Sequence, residues 1–148
     1  MSKILVVYGS STGNTENIAR MITKGLSDAG HDITLKNAAD LQAAGLAEGY
    51  DAVLMGASIW GEAEIELQDD FAPLFDGFGE MGLENCKLAA FASGDQAYEH
   101  FCGAVDVIEA QGKECGAVVM TDGLRLEGDG SDATDEIADF VEAVLQKL

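Results

Sequence analysis

The chain has 148 residues, of which 47% are hydrophobic, so it can bury the core of one domain, and we expect residues 1–148 to form a single domain. Its 27 acidic and 8 basic residues give a formal charge of −19, which argues against nucleic acid or an anionic membrane as a partner and favours basic macromolecules. The longest apolar runs, such as residues 4–8 and 52–57, are too short to cross a bilayer, and we expect neither a signal peptide nor a membrane span.

Three cysteines, Cys86, Cys102 and Cys115, make an odd number without C-x-x-C spacing. This pattern argues against a disulfide framework and against a zinc site. We therefore expect no metal site, buried or half-buried thiols, and a reducing, cytoplasmic location.

The first elements are a buried strand and an amphipathic helix. Residues 3–8 (KILVVY) form a nearly continuous β-branched and aromatic run, typical of a strand buried on both faces of a parallel sheet, and Gly9 ends it. A helix is predicted from Asn14, with Gly30 as its stop, because apolar residues recur at helical spacing at Ile18, Met21, Ile22 and Leu26.

Two further strands and a short helix follow. Residues 31–36 (HDITLK) alternate as a second strand, and residues 51–58 (DAVLMGAS) are a third buried run, followed by a loop at residues 59–61. Residues 67–78 predict a short helix interrupted by the only proline, Pro73.

The last part of the chain predicts two strands and two helices. Residues 86–93 (CKLAAFAS) indicate strand four, and residues 96–111 have helical spacing. Strand five is predicted over 116–120 and runs on through 124 without a long insertion. The final helix is predicted over 131–148, with Ser131 as its cap.

Alternation of buried strands with amphipathic helices predicts an α/β fold, in which a five-stranded parallel sheet has helices on both faces. Such sheets bind ligands beyond the carboxyl ends of their strands, at the point where the strand order reverses. The loops after strands one, three and four therefore matter most for function.

The loop after strand one is rich in hydroxyls and enters a helix. It reads Gly-Ser-Ser-Thr-Gly-Asn-Thr over residues 9–15, and free N–H groups at a helix N-terminus favour an anion. The loop lacks the lysine of a Walker A motif and the spacing of a dinucleotide fingerprint, so a terminal monophosphate fits better than a triphosphate or NAD. A Ser/Thr-rich turn of this kind also caps helices without any ligand.

Aromatic side chains follow strands three and four. Trp60, the only tryptophan, follows strand three, and Asp95 and Tyr98 follow strand four. A loop tryptophan serves either as half-buried filler or as a stacking surface. Two aromatics converging with a phosphate cradle suit a flat heteroaromatic ligand that carries one phosphate, and FMN has this shape.

At these residues the sequence resembles the flavodoxins, in particular the short-chain flavodoxins of sulfate-reducing bacteria, over essentially its full length. The resemblance implies a flavodoxin-like three-layer sandwich with strand order 2-1-3-4-5. It also implies non-covalently bound FMN and a low-potential one-electron carrier that cycles mainly between semiquinone and hydroquinone. Such a protein is not an enzyme and has no catalytic residue.

The resemblance also implies roles for individual residues. Ser10, Ser11, Thr12, Asn14 and Thr15, with Ser58, would hold the phosphate. Trp60 and Tyr98 would flank the flavin ring, Asp95 and Cys102 would lie at its pyrimidine end, and Gly61 would be the partner of flavin N5. The full set of expected cofactor-binding residues is Ser10, Ser11, Thr12, Gly13, Asn14, Thr15, Ser58, Ile59, Trp60, Gly61, Glu62, Ser93, Gly94, Asp95, Tyr98 and Cys102.

Three positions depart from the family pattern. Glu62 stands where Asp is common, Ser93 where Cys is common, and His100 where an aromatic residue is common. His100 is either a pH-sensitive charge near the ring or a surface helix residue.

The expected partners are basic redox proteins, such as reductases, cytochromes, hydrogenase-type enzymes or other oxidoreductases, and we expect a monomer. An alternative is a small FMN-dependent reductase of the quinone or azo type. In such an enzyme NAD(P)H would reduce the bound flavin, and so bleach its colour, without a second protein. A signalling receiver domain has the same order of strands and helices, but it needs paired acidic residues after strand one. The sequence has Ser10 and Ser11 there, so it argues against a receiver domain.

Overall fold

The chain is described in a computed structural model over residues 2–9, 13–42, 44–57, 59–60, 66–67, 71–94, 103–127 and 130–148. Eight strands, four helices and two 3₁₀ turns lie within these ranges. In chain order they are β1 (Lys3–Gly9), α1 (Asn14–Asp28), β2 (Asp32–Asn37), a 3₁₀ turn (Ala38–Asp40), β3 (Ala52–Ala57), β4 (Ile59–Trp60), β5 (Glu66–Leu67), α2 (Ala72–Asp76), a 3₁₀ turn (Phe78–Glu80), β6 (Lys87–Gly94), α3 (Gly103–Glu114), β7 (Val118–Val119), β8 (Leu124–Glu127) and α4 (Thr134–Lys147).

The main sheet is parallel and has the order β2-β1-β3-β6, with β7 and β8 both paired to the far side of β6. This confirms the predicted order 2-1-3-4-5. β2 lies on one side of β1, and β3, the next strand in the chain, lies on the other side, so the strand order reverses at β1.

The fifth strand position is divided, whereas the sequence predicted one strand. Leu88 pairs with Val119 and Phe91 pairs with Leu124, so β6 advances three residues while its neighbour advances five. The two extra residues cannot stay in register, and the strand separates into β7 and β8.

Both faces of the sheet are buried, as the apolar strands predicted. On one face Leu5, Val7, Val53, Met55 and Leu88 pack in a cluster with Val105 and Ile108 of α3. On the other face β1, β3 and β6 pack against α1 and α4 through Ile4, Val6, Leu54, Phe91, Ile18, Ile22, Ile137, Phe140 and Val144.

Several predicted boundaries were wrong. The helix predicted over 67–78 is only α2, because Leu67 pairs with Ile59 in a β4–β5 hairpin and Pro73 lies in the first turn of the helix. Of the helix predicted over 96–111, residues 96–102 lie outside the described ranges. The described part is α3, which continues past Gln111 to Glu114. Ser131 does not cap α4, because residues 130–133 form a turn in which the Ala133 N–H donates to the Gly130 carbonyl at 3.0 Å, and the helix begins only at Thr134.

Two of the three cysteines lie in the described ranges, and both are free thiols. Cys86 is buried and Cys115 is half-buried, which confirms that part of the expectation. Burial, and then the nearby Asp51 carboxylate, raises the pKa of the Cys86 thiol. Cys102 lies outside the described ranges. No helix among the described residues is long and apolar enough to span a bilayer.

Candidate functional site

Three neighbouring strands end together at one edge of the sheet. Gly9, the last residue of β1, is level with Ala57, the last residue of β3, and the register of β3 with β6 continues through Gly56 and Phe91. The chain therefore leaves β1, β3 and β6 at the same edge, beside the position where the strand order reverses. This is where parallel α/β sheets bind ligands.

Helix α1 begins at Asn14, a few residues after β1 ends at this edge. Gly13 precedes it with φ +89°, a left-handed conformation that residues with a β-carbon adopt only at a cost. The Gly13 carbonyl accepts from the Asn17 N–H at 3.0 Å, which starts the helical ladder. The N–H groups of the first turn have no acceptor within the helix, so this end of α1 favours an anion.

A salt bridge offsets the acidic residue in the first turn of α1. Arg20 donates to the Glu16 carboxylate through both Nε and Nη2, at 2.9 and 2.8 Å. The hydrogen bond to Glu16 and the charge of Glu16 raise the pKa of Arg20 above its ordinary value. The carboxylate that would oppose an anion at this helix end is thus paired with a cation.

A buried pair of hydroxyls joins α1 to the end of β6. The Thr15 Oγ1 and Ser93 Oγ atoms lie 2.8 Å apart, although the residues are 78 positions apart in the chain. Their exposed fractions are 1% and 4%. The contact links the start of the helix that follows β1 to the strand that leads into the loop after β6.

Close packing below this edge fixes the ends of β3 and β6. A β-carbon on Gly56 would lie 2.1 Å from the Phe91 ring. The ring can therefore pack directly against β3 only because residue 56 has no side chain. Sequence reasoning missed this contact, although a glycine inside an otherwise large apolar run was a signal for a close approach.

The structure describes some of the expected site residues and not others. Gly13, Asn14, Thr15 and Ser93, all expected to bind the cofactor, lie where the start of α1 meets β6. Gly94 ends β6, and Ile59 and Trp60 form β4, where Trp60 pairs with Glu66 of β5. Trp60 is therefore in a two-stranded hairpin rather than a loop. Ser10, Ser11, Thr12, Ser58, Gly61, Glu62, Asp95, Tyr98 and Cys102, together with His100, lie outside the described ranges.

The described residues bring hydroxyl oxygens and backbone N–H groups to this edge, which are neutral donors for an anion. The Thr15–Ser93 contact is the feature that sequence reasoning could not find, because no local pattern relates two hydroxyls so distant in the chain.

Comparison with known proteins agrees with this geometry. The model of the family described as Flavodoxin matches residues 6–143. The flavodoxin of Maridesulfovibrio salexigens is 46% identical over 148 residues, covering all of both chains, which confirms the resemblance to sulfate-reducer flavodoxins. Oxidised flavodoxin 2 from Bacillus cereus is 32% identical and superposes with a TM-score of 0.92 over 99% of this chain and 100% of that one.

A flavodoxin from Fusobacterium nucleatum bound to flavin mononucleotide has a TM-score of 0.84 over 100% of this chain and 99% of that one. At 15% identity, this likeness shows the shared fold alone. The family model and the full-length relative together show the family: this chain belongs to the flavodoxins.

Proposed function

We propose that this chain binds FMN non-covalently and carries single electrons between redox proteins at low potential. The observation that carries the proposal is the meeting of the α1 N-terminus with the buried Thr15–Ser93 hydroxyl pair, at the strand-order reversal of a flavodoxin sheet. We further propose that residues 1–148 form one FMN-binding domain.

The described donors fit the phosphate of FMN. A phosphate monoester carries up to two negative charges, and a helix N-terminus with hydroxyls beside it stabilises such an anion without a lysine. Asn14 and Thr15 lie in the first turn of α1, and Gly13 lets the backbone turn sharply into the helix. We propose that Ser10, Ser11, Thr12 and Ser58 complete this phosphate site.

We propose that aromatic residues hold the flavin ring. Trp60 lies in the hairpin that directly follows β3, and Tyr98 would cover the opposite face of the ring. Asp95 and Cys102 would bind the pyrimidine end through their backbone. FMN, when bound, supplies redox chemistry in one-electron steps, and the protein tunes each step. The Gly61 carbonyl would accept a hydrogen bond from flavin N5 when that atom carries a proton, because glycine allows the required peptide rotation.

Acidic residues would set the potential of the second electron. The chain carries a net charge of −19, and nine of its acids fall in the segments proposed to surround the ring, namely Glu62, Glu64, Glu66, Asp69, Asp70, Asp95, Glu99, Glu127 and Asp129. Negative charge disfavours formation of the fully reduced anion and would therefore lower the potential of the second electron. The carrier would cycle mainly between its one-electron-reduced and fully reduced forms, as the family resemblance implies.

The same charge would select basic redox partners, such as reductases, cytochromes or hydrogenase-type oxidoreductases. We propose that the protein acts as a monomer. The free thiols of Cys86 and Cys115 support a location in a reducing compartment, the cytoplasm.

A visible spectrum of the purified protein, followed by titration of the apoprotein with FMN and riboflavin, tests the proposal. We expect flavin absorbance and tighter binding of FMN than of riboflavin. Absence of flavin binding would contradict the proposal. Bleaching of the bound flavin by NAD(P)H alone would instead support a small FMN-dependent reductase.

A further inference from the structure

Thr15 and Ser93 are the two polar side chains that are buried among the described residues, and they contact each other. A buried hydroxyl without a partner costs free energy, and the contact between the two hydroxyls reduces that cost while the site holds no ligand.

The two hydroxyls have two protons between them, and one of these is used in the bond that joins the pair. Each carries one proton, and at 2.8 Å one hydroxyl donates to the other. One proton of the pair is then left for an outside acceptor. If Thr15 donates to Ser93, the remaining proton lies on Ser93. If Ser93 donates to Thr15, it lies on Thr15.

An anion at the start of α1 would choose between these arrangements. Thr15 is the second residue of the helix, where the helix end favours negative charge, whereas Ser93 lies one residue before the end of β6. We propose that Ser93 is a positioning residue, whose hydroxyl donates to Thr15 Oγ1 and thereby directs the Thr15 proton toward the ligand phosphate. This inference rests on the proposed binding of FMN.

The arrangement strengthens the bond to the phosphate in two ways. A hydroxyl that accepts a hydrogen bond becomes a better donor, and a donor bond to an anion is stronger than one to a neutral group. The buried Ser93 also holds the Thr15 hydroxyl in one orientation before the ligand arrives, which lowers the entropy lost on binding. Riboflavin, which lacks the phosphate, would gain nothing from either effect.

The experiment compares FMN and riboflavin binding to the apoproteins of wild type, Ser93→Ala and Ser93→Cys. We expect Ser93→Ala to weaken FMN binding about two- to tenfold, the range of one neutral hydrogen bond, and to leave riboflavin binding nearly unchanged. Cysteine, which is common at this position in the family, has a slightly larger side chain than serine but is a weak donor, so Ser93→Cys should lose FMN affinity almost as far as alanine does. Recovery of wild-type affinity in Ser93→Cys would show that only packing matters and would overturn the inference.

A double-mutant cycle tests whether Ser93 acts through Thr15. Thr15→Val should weaken FMN binding about tenfold or more, because it removes a bond to a charged group. Adding Ser93→Ala to Thr15→Val should then cost little more, since there is no Thr15 hydroxyl left to direct. Additive losses would contradict the inference. Ser27→Ala, which removes an exposed hydroxyl near the other end of α1, is the matched control and should change neither affinity.

The two proposals fail differently in this experiment. A wild-type apoprotein that binds neither flavin would contradict the proposed function and this inference with it. The other result is a wild type that binds FMN more tightly than riboflavin, with the same ratio of the two affinities in Ser93→Ala. That result would overturn the role of Ser93 and leave the proposed function standing.

Discussion

Glu109 lies on α3 three residues after Asp106, whose carboxylate accepts hydrogen bonds from Arg125 of β8. Partial burial raises the pKa of the Glu109 carboxyl, and the positive charges of Arg125 and Lys113 only partly oppose that effect. The folded chain therefore favours the protonated form of Glu109 more than the unfolded chain does.

We expect Glu109→Gln to raise the free energy of unfolding at pH 7. A raised folded pKa contributes stability that is present below the unfolded pKa and is lost as the pH rises through the folded pKa, so ionised Glu109 is unfavourable at neutral pH. The gain from the amide should shrink as the pH falls toward about 4, where the carboxyl is protonated. Urea unfolding at several pH values measures this.

Glu142→Gln is the matched control, because it removes the same charge from an exposed position of α4. Any general benefit of lowering the net charge of −19 should appear equally in both variants. An equal gain in both variants at every pH would show that burial of Glu109 does not matter.

The contact between β3 and β6 depends on Gly56. Alanine there would place a β-carbon 2.1 Å from the fully buried Phe91 ring, and neither strand can move away without breaking the sheet. We expect Gly56→Ala to lower the free energy of unfolding by about 1–3 kcal/mol, the usual cost of overpacking. Denaturant unfolding measures the change.

Gly79→Ala is the control for this variant. Gly79 lies in the 3₁₀ turn Phe78–Glu80, its φ is not positive, and a β-carbon there would meet no atom within 4 Å. Its substitution should change stability by no more than about 0.5 kcal/mol. Similar losses for both glycines would mean that chain entropy, not the Phe91 contact, decides the effect.

The bounds of the long buried elements could be predicted closely from the sequence, and those of the short elements could not. β1, β3 and β6 are nearly continuous apolar runs because both faces of the sheet are buried. Helix α1 begins at Asn14 and ends just before Gly30, as the spacing of its apolar residues predicted. The strand predicted over 116–120 contains β7, but no local pattern shows that its pairing stops and resumes in β8. The bounds of β7 depend on tertiary contacts, because Val118 donates to Cys86 and Met120 donates to Leu88 of β6.

The position of the candidate site could be predicted from the sequence, but the contacts within it could not. Thr15 at the start of α1 and Ser93 near the end of β6 were both expected near the carboxyl ends of the parallel strands, and both residues carry hydroxyls. Which hydroxyls meet depends on how α1 packs across β1 and β6, and that depends on side chains far from either residue. The pairing of β4 with β5 was missed for the same reason, since each strand has only two residues and is held by its pairing with the other.

The net charge of −19 should govern how fast the proposed carrier meets its partner. A strongly negative protein attracts a basic redox protein over a distance comparable with the Debye length, which is about 8 Å at physiological salt. We expect electron transfer to a basic partner to slow as salt increases. Stopped-flow rates at low and high ionic strength measure this, and a rate independent of salt would remove charge as the basis for choosing partners.

A pair of variants with equal charge separates local from overall effects. One variant changes Glu62, Asp69, Asp95 and Glu99, four of the acids proposed to surround the flavin, to amides. The other changes Asp32, Glu48, Glu84 and Glu114, exposed acids near the amino ends of the strands and the end of α3, to amides. If partners dock over the flavin, only the first variant should slow the reaction strongly. Equal slowing would mean that only the total charge matters.

The division of the fifth strand position into β7 and β8 has a consequence for self-association. An uninterrupted outer strand offers a row of backbone N–H and C=O groups on which another chain can pair and begin an ordered aggregate. Here the outer side consists of strands of two and four residues separated by a break in register, and the exposed Arg125 lies on the longer one. On the opposite border, β2 carries exposed Asp32 and Lys36. Both borders thus discourage strand addition by a second copy, so the proposed carrier can remain dispersed at high concentration.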